Sequence, residues 1–263
     1  MDIHKPKRWH GLREFLKEYL IIVVGVLTAL AAEQAVEWLH HRHQVEDAET
    51  RIIPEARENL MNAYERIMGT YCTQGRVREL RDALLQPGPA WKAAPYTHTQ
   101  APQPIVIGKA NTIAGAFALS PMPLVAQGPI RTWPDTAWAT AISDGVSMYM
   151  KPERARDYTQ LFGYFQRLRD YQTAERQTMA ELSTLAFDRT LSASERNRYL
   201  DLLSRLNYAE ISMDNASAAA IARADAAGIR IRKVDFDKQI ALWRDIPQLK
   251  GCLQIQPVPL AGD

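Results

Sequence analysis

The chain has 263 residues, of which 46% are hydrophobic and 24% charged, with 32 basic and 30 acidic side chains. This composition excludes a disordered tail, a small disulfide-packed protein and a polybasic arm that binds nucleic acid. The formal net charge of +2 likewise gives no general attraction to nucleic acid. The sequence contains no nucleophile elbow, phosphate-binding loop, dinucleotide fingerprint or zinc-ligand spacing. We therefore expect a protein that is not an enzyme and that carries no cofactor and no catalytic metal.

Residues 19–32 form the longest apolar run without a charge near the N-terminus. At about 1.5 Å per residue, this run alone is shorter than the roughly 30 Å hydrocarbon layer of a bilayer. The helical pattern continues to Leu39, however, with no proline or glycine after residue 32. Tyr19 and Trp38 lie about 28 Å apart along such a helix, which matches aromatic residues at the two membrane interfaces. The pattern predicts a transmembrane anchor over residues 16–39, in contact with the lipid bilayer.

Two other interpretations of this run remain open. A cleaved signal peptide is one, because the sequence at Ala29 to Ala31 resembles an A-x-A cleavage site. The stretch before the apolar run is long for a signal peptide, and it carries Glu14 and Glu18 as well as bases. The other interpretation is a buried helix of a soluble domain. We favour the anchor over both.

The charges that flank the run predict its orientation. Five bases precede it, and three follow within twenty residues of Leu39 (Lys5, Lys7, Arg8, Arg13 and Lys17, then Arg42, Arg51 and Arg57). The excess favours a cytoplasmic N-terminus. Residues 1–15 would form a short basic cytoplasmic segment, and about eighteen residues on that side are too few for an output domain. Residues 40–263 would form an extracytoplasmic domain, in the periplasm of a bacterium with two membranes.

The first part of this domain combines one helix with an irregular stretch. Residues 43–86 have a helical apolar stripe (Ile52, Ala56, Leu60, Ala63 and Ile67), and Pro54 predicts either a kink or the start of a new helix. Residues 86–104 are rich in proline and predict a linker. Residues 105–130 are almost uncharged, but their prolines and glycines argue against a second span. We expect an irregular insert over 105–130.

The remaining chain predicts further helices. One covers about residues 134–150, the next begins near Pro152, and Ser192 and Glu195 have the spacing of a capping box at the start of another. A last short helix covers residues 235–245. The capped helix carries an unbroken heptad seam (Tyr199, Leu202, Leu206, Ala209, Met213, Ala216 and Ala220). The predicted fold is mainly α, with one N-terminal transmembrane helix followed by an up-and-down helical bundle that contains an irregular insert rich in proline and glycine.

One face of the anchor is a candidate interaction surface. Gly25, Ala29, Glu33 and Glu37 recur every four residues, so they follow one side of the helix. Gly25 and Ala29 have the small-xxx-small spacing that lets membrane helices approach closely. The two glutamates lie toward the outer interface, where they either reach the headgroups or face a partner helix. We expect this face to mate with a second copy or with another membrane protein.

The two cysteines, Cys72 and Cys252, are expected to form a disulfide if the domain lies outside the cytoplasm. The enclosed loop of 180 residues (252 minus 72) would stabilise the fold by about 5 kcal/mol in the chain-entropy model. Two free buried thiols are the alternative.

Three polar clusters have weaker functional interpretations. Each is more commonly solvated or paired with a neighbouring charge. The histidines at the outer edge of the anchor could form a metal or pH-sensing site (His40, His41 and His43). The polar residues beside the heptad seam could form an acid–base or cation site (Asn207, Glu210 and Asp214). The basic residues near the C-terminus could contact phospholipid or nucleic acid (Arg230, Arg232 and Lys233). We expect no nucleic-acid binding.

The N-terminal sequence LREFLKEYLIIVVGVLTALAAEQAVEW resembles a group of uncharacterised bacterial proteins that have a basic start, a similar apolar span and an external helical region. The segment from Thr136 through Trp138 to Gly145 is also similar to a T-x-x-A-W-x-A-A-x-x-x-G-like stretch of that group. The resemblance covers about a fifth of the chain. It implies membrane anchoring, and it implies no activity and no catalytic residue.

Two functions are consistent with these patterns. The first is an anchored accessory or interaction component of an inner-membrane or envelope assembly. The second is an extracytoplasmic domain that senses a ligand between its helices and signals through a partner protein.

Overall fold

The computed structural model describes residues 11–93, 105–107, 111–113, 125, 131–244 and 251–261, and these are mainly helical. The helical class predicted from the sequence is therefore confirmed. The described part contains two 3₁₀ turns (Val146–Tyr149 and Ser183–Ala186) and the α-helices α1 (Leu12–Leu84), α2 (Thr136–Ser143), α3 (Pro152–Leu182), α4 (Ala193–Ala226) and α5 (Lys233–Arg244).

Short strand pairs connect these helices. They are antiparallel β1 with β4, antiparallel β2 with β3, and parallel β5 with β6. Their bounds are β1 Ala90–Trp91, β2 Ile105–Ile107, β3 Asn111–Ile113, β4 Arg189–Thr190, β5 Ile231–Arg232 and β6 Leu260–Ala261. Strands β2 and β3 lie within the predicted insert 105–130. Most of that insert, and residues 94–104 of the predicted linker, lie outside the described residues.

Helix α1 is continuous over 73 residues, from the apolar run into the core. The prediction that Pro54 would begin a new helix is therefore wrong. Proline removes one backbone hydrogen bond, the one that the carbonyl of Thr50 would accept. Both Thr50 and Pro54 are exposed, so water can satisfy that carbonyl. The buried side of the same stretch carries Ile52 and Ala56, which are fully buried and hold the helix in register.

Helix α4 runs antiparallel to α1. Near the start of α4, the Arg196 guanidinium donates a hydrogen bond to the carbonyl of Leu84, the last residue of α1. Further along α4, Glu210 pairs with Arg66, and Arg66 lies closer to the N-terminus of α1. Helix α3 packs against α4 and runs parallel to α1, because Arg154 near its start pairs with Glu49.

The described residues between α1 and α3 make contacts at points progressively closer to the apolar segment of α1. The carbonyl of Pro89 accepts a hydrogen bond from the Leu191 amide near the far end of the domain. Asn59 of α1 then donates to the carbonyl of Pro134, and the ring of Tyr149 stacks on that of His41. Among the described residues of 85–151 no helix is longer than α2, so the predicted up-and-down bundle is not confirmed and stays a prediction.

The helix predicted over residues 134–150 is shorter in the structure. Helix α2 covers Thr136–Ser143, and Gly145 then adopts a left-handed conformation with φ of 73°. This conformation is open to glycine and ends the helix, and the chain continues as the 3₁₀ turn Val146–Tyr149.

The local signals in α4 agree with the structure. Ser192 and Glu195 form the complete capping box, with each side chain bonded to the backbone of the other. All seven residues of the predicted heptad seam are buried, from Tyr199 to Ala220. Beyond the helix, Gly228 has φ of 71°, and the Ile229 amide bonds back to the carbonyl of Ala224.

Candidate functional site

The N-terminal part of α1 has no covering from the rest of the described chain. Every residue from 12 to 40 is exposed except the half-buried Val23, and the core begins only at Ala48. An 18-residue window of this part has a mean hydropathy of 2.0 with none of it buried, so it is one candidate membrane span by length and composition. The exposed part extends about 43 Å at the helical rise, which is enough to cross a bilayer.

The residues predicted to mark the membrane interfaces both face outward. Tyr19 is 56% exposed and Trp38 is 60% exposed. The guanidinium of Arg42 lies 5.7 Å from the centre of the Trp38 ring, where the cation is attracted to the face of the ring. An aromatic ring followed by a base is a common arrangement where a helix leaves the hydrocarbon layer.

The four residues of the predicted interaction face are also exposed. Gly25, Ala29, Glu33 and Glu37 follow one another at four-residue spacing on the uncovered part of α1. A side-chain carbon built at Gly25 would meet no atom within 4 Å, so this side of the helix is open. Glu37 lies 3.5 Å from Nε2 of His41, one turn later.

The histidines next to this face form contacts within the protein. The rings of His41 and Tyr149 stack with centroids 3.5 Å apart, so His41 joins α1 to the turn Val146–Tyr149. The side-chain amide of Gln44 contacts both rings, with Nε2 lying 3.1 Å from Nε2 of His40 and Oε1 lying 3.3 Å from Nδ1 of His41. His43 is exposed. Among the described residues, no group of three or more His, Cys, Asp or Glu could hold a metal ion.

The structure joins Cys72 and Cys252 by a disulfide, with Cα atoms 5.2 Å apart. Cys72 lies in α1 and is 4% exposed, whereas Cys252 lies in the segment that follows α5. A backbone hydrogen bond from Gln254 to the carbonyl of Met68 holds the same segment against α1. The bridge therefore ties the C-terminal segment to the long helix.

A charge cluster lies inside the domain, where α1, α3 and α4 meet. One nitrogen of Arg66, Nη2, donates to Oε1 of Glu175 at 2.5 Å and to Oε2 of Glu210 at 2.6 Å. The three residues are buried, with at most 6% of each exposed. Asp214, one turn after Glu210, interacts with the hydroxyl of Thr70.

The protonation of this cluster follows from its burial. Burial acts to lower the pKa of Arg66, but Glu210 and Glu175 outweigh that effect and raise it, so the guanidinium stays charged. Burial raises the pKa of Glu210 well above its usual range, and Glu175 and Asp214 act in the same direction against Arg66. Burial also raises the pKa of Asp214 to about 6. Burial therefore favours the protonated forms of Glu210 and Asp214 beside the charged guanidinium of Arg66.

For Glu210 and Asp214 the sequence left open a solvated face or structural pairing with an arginine, and Glu210 is buried and paired with Arg66. A second stripe on α4, through Leu203, Leu206, Met213 and Ala220, is interrupted only by Glu210 and Ser217 at its helical spacing. A polar residue inside an apolar stripe is the signal that could have predicted its burial.

Two further ion pairs hold α1 to the rest of the domain. The guanidinium of Arg131 bonds to both carboxylate oxygens of Glu65, at 2.5 and 2.6 Å. Glu49 accepts hydrogen bonds from Arg154 and from the hydroxyl of Tyr158, both at 2.8 Å. These contacts join α1 to the segment before α2 and to α3.

The predicted basic cluster is neutralised locally. Each of its cations pairs with one aspartate: Arg230 with Asp225, Arg232 with Asp235 and Lys233 with Asp237. A continuous positive surface for nucleic acid does not result from these three residues.

A groove of about 510 Å³ opens between α1 and α4 at the end of the domain far from the apolar segment. Its lining mixes apolar residues with arginines. Asn207 lies in this lining, whereas Glu210 and Asp214 do not. The main lining residues are Val77, Arg78 and Arg81 of α1 and Leu203, Asn207 and Ile211 of α4.

Comparison with protein-family models, with curated proteins and with solved structures finds no match to this chain. The resemblance of the N-terminal sequence to anchored bacterial proteins therefore stays a hypothesis.

Proposed function

We propose that the protein is a single-pass, non-enzymatic component of a membrane assembly, anchored by α1, whose helical domain serves protein–protein interaction. The observation that carries this proposal is the uncovered apolar part of α1, over residues 12–40. That surface would be unfavourable in water, since each apolar side chain left exposed forgoes its transfer free energy. A bilayer covers a single helix of this length on all sides.

We propose further that the domain lies on the outer side of the inner membrane. The excess of bases before the span supports a cytoplasmic N-terminus. The disulfide between Cys72 and Cys252 supports an oxidising compartment for the domain, because such bridges are rare in the cytoplasm. These two arguments are independent of each other and agree on one orientation.

We infer that the partner contact includes the face of Gly25, Ala29, Glu33 and Glu37. The small pair permits close approach of a second helix. The carboxylates favour a partner that offers hydrogen-bond donors over bare lipid. A second copy of the chain fits this chemistry, since it would bring its own small residues and its own His41 to the same level.

Photo-crosslinking in membranes tests this contact. A photoreactive residue in place of Ile22, which lies one turn before Gly25 on the same face, should form a crosslinked species. The double variant G25L/A29L should lose that species while still being extracted only by detergent. The control A31L/A35L, which adds similar bulk on other sides of the helix, should retain it.

The proposal fails in two distinguishable ways. If alkaline carbonate releases the wild-type chain from membranes, the anchor itself is wrong. If the chain stays membrane-bound but forms no crosslink in the wild type, or the same crosslink and the same co-purifying proteins in G25L/A29L, the interaction face is wrong.

Ligand sensing is the second candidate, and two observations favour it. The groove lined by Arg78 and Ile211 offers an apolar floor beside cations. Helix α1 lines this groove and continues without a break into the span. A change at the groove would thus reach the membrane through one helix. A thermal-stability screen of anionic small molecules tests this candidate, with R78A as the variant that should lose any increase in Tm.

A further inference from the structure

The turn Val146–Tyr149 presents apolar side chains to the outside although its own backbone is firmly placed. Val146 and Met150 are buried and attach the turn to the core. Between them, Met148 is 78% exposed and Tyr149 is 48% exposed. Ile142, in the last turn of α2, is 52% exposed. Met148 therefore exposes most of its surface, and Ile142 and Tyr149 each expose about half, with one face of the Tyr149 ring stacked on His41.

The stacking of Tyr149 on His41 gives the height of this turn along α1. His41 follows Trp38 by three residues, which is about 4.5 Å along the helix. Each headgroup layer of a bilayer is roughly 5–8 Å thick, the difference between the full bilayer and its hydrocarbon core shared over two sides. If Trp38 marks the outer end of the span, Tyr149 lies at the level of the headgroups.

The residue types fit that level. Tyrosine presents an apolar ring and a polar hydroxyl, and it is enriched at membrane–water interfaces. The apolar side chain of methionine, here Met148 beside Tyr149, suits the boundary between headgroups and acyl chains. Lys151, exposed directly after the turn, carries a charge that suits phosphate groups.

We propose that Met148 and Tyr149 form a second membrane contact, which inserts from the domain into the outer headgroup region of the bilayer that α1 spans. This inference rests on the proposed span. It adds a point of attachment beside the helix, and two points restrict the tilt of the domain where one helix alone would not.

Other exposed apolar residues do not share this position. Tyr208 is 70% exposed, but it lies two residues before Glu210, which pairs with Arg66. Arg66 follows Leu39 by 27 residues (66 minus 39), about 40 Å along α1. Tyr208 is thus far above the membrane and provides a matched control.

Depth-dependent quenching of a fluorophore tests the contact in the full chain. Single cysteines are introduced as M148C, Y208C and L27C with the native disulfide retained, and each is labelled with the polarity-sensitive dye NBD. The labelled chains are reconstituted in phosphatidylcholine vesicles with a nitroxide either on the headgroup or at a shallow acyl position. We expect L27C, within the span, and M148C both to lose fluorescence, and Y208C to keep it.

The outcomes separate the two proposals. If the nitroxide quenches the fluorescence at L27C but quenches M148C no more than Y208C, the membrane contact is wrong and the span stands. No loss at L27C overturns the span, and the second contact with it. A blue-shifted M148C emission without nitroxide quenching means that protein rather than lipid covers the turn, which also overturns the proposal.

Discussion

Arg66 and Glu210 are joined by a buried hydrogen bond across 144 positions of sequence, with the charged Nη2 of the arginine 2.6 Å from Oε2 of the glutamate. The pair joins the part of α1 inside the domain to the middle of α4. Because Glu175 of α3 shares the same nitrogen, one guanidinium connects all three long helices. A group with this role should be sensitive to removal of its charge.

Replacement of Arg66 by methionine should lower the free energy of unfolding by about 3–5 kcal/mol, because it leaves buried carboxylates without their cation. Urea unfolding of the full chain in mild detergent, followed by circular dichroism, measures the change. The control R205M removes an exposed pair with Asp201 and should change stability by less than about 0.5 kcal/mol. Equal effects of the two variants would contradict the importance of the cluster.

The raised pKa of Asp214 predicts a pH dependence. The folded state keeps this proton up to a pH of about 6, whereas the usual value is 3.8. Between these values the folded state binds more protons than the unfolded chain, so this residue's contribution to stability falls as the pH rises.

The variant D214N lacks this titration. Its free energy of unfolding relative to wild type should increase by about 2–3 kcal/mol from pH 4 to pH 7, at 1.36 kcal/mol per pKa unit. Matched unfolding curves at several pH values measure the difference. D201N changes an exposed aspartate of the same helix and is the control. A difference that is constant with pH, or that has the opposite sign, would contradict the assignment.

Larger side chains at the small residues of the α4 seam should destabilise the domain. Ala220 is fully buried, so A220L should lower the free energy of unfolding by about 1–3 kcal/mol through overpacking. Ala222 lies two residues later and is exposed, and A222L should have little effect. Thermal unfolding of the two variants makes the comparison. A neutral A220L would mean that the neighbouring helices do not approach as closely as the structure indicates.

Removal of the disulfide should also destabilise the domain. The double variant C72S/C252S should lose about 3–5 kcal/mol, since the bridge closes a long loop in the unfolded chain. Mass analysis after alkylation without a reductant reports on the bridge itself. Two alkylatable thiols in protein folded in cells would rule it out.

The features predicted well from the sequence depend on near neighbours. The seam of α4 repeats every three or four residues, and the capping box of Ser192 and Glu195 spans a single turn. The sequence contains no comparable local pattern that would predict the stacking of His41 on Tyr149. This stacking depends on how the segment between α1 and α3 returns along α1, which local periodicity does not encode.

The pairing within the buried charge cluster is also not predictable from the sequence. Each long helix places polar residues in an otherwise apolar stripe, with Arg66 on α1, Gln172 and Glu175 on α3, and Glu210 on α4. Each interruption could be recognised separately. With 32 basic and 30 acidic side chains in the chain, the sequence alone does not assign the partners.

The unbroken helix α1 has a consequence for synthesis. It is translated before α4, and the part of its core side that packs on α4 stays uncovered until α4 emerges. The first residue of α4 follows the last residue of α1 by 109 positions (193 minus 84). At about 5–20 residues per second, that delay is roughly 5–20 s. In a chain anchored as proposed, the apolar face of α1 stays exposed next to the membrane for that time. A periplasmic chaperone would therefore matter most before α4 is translated.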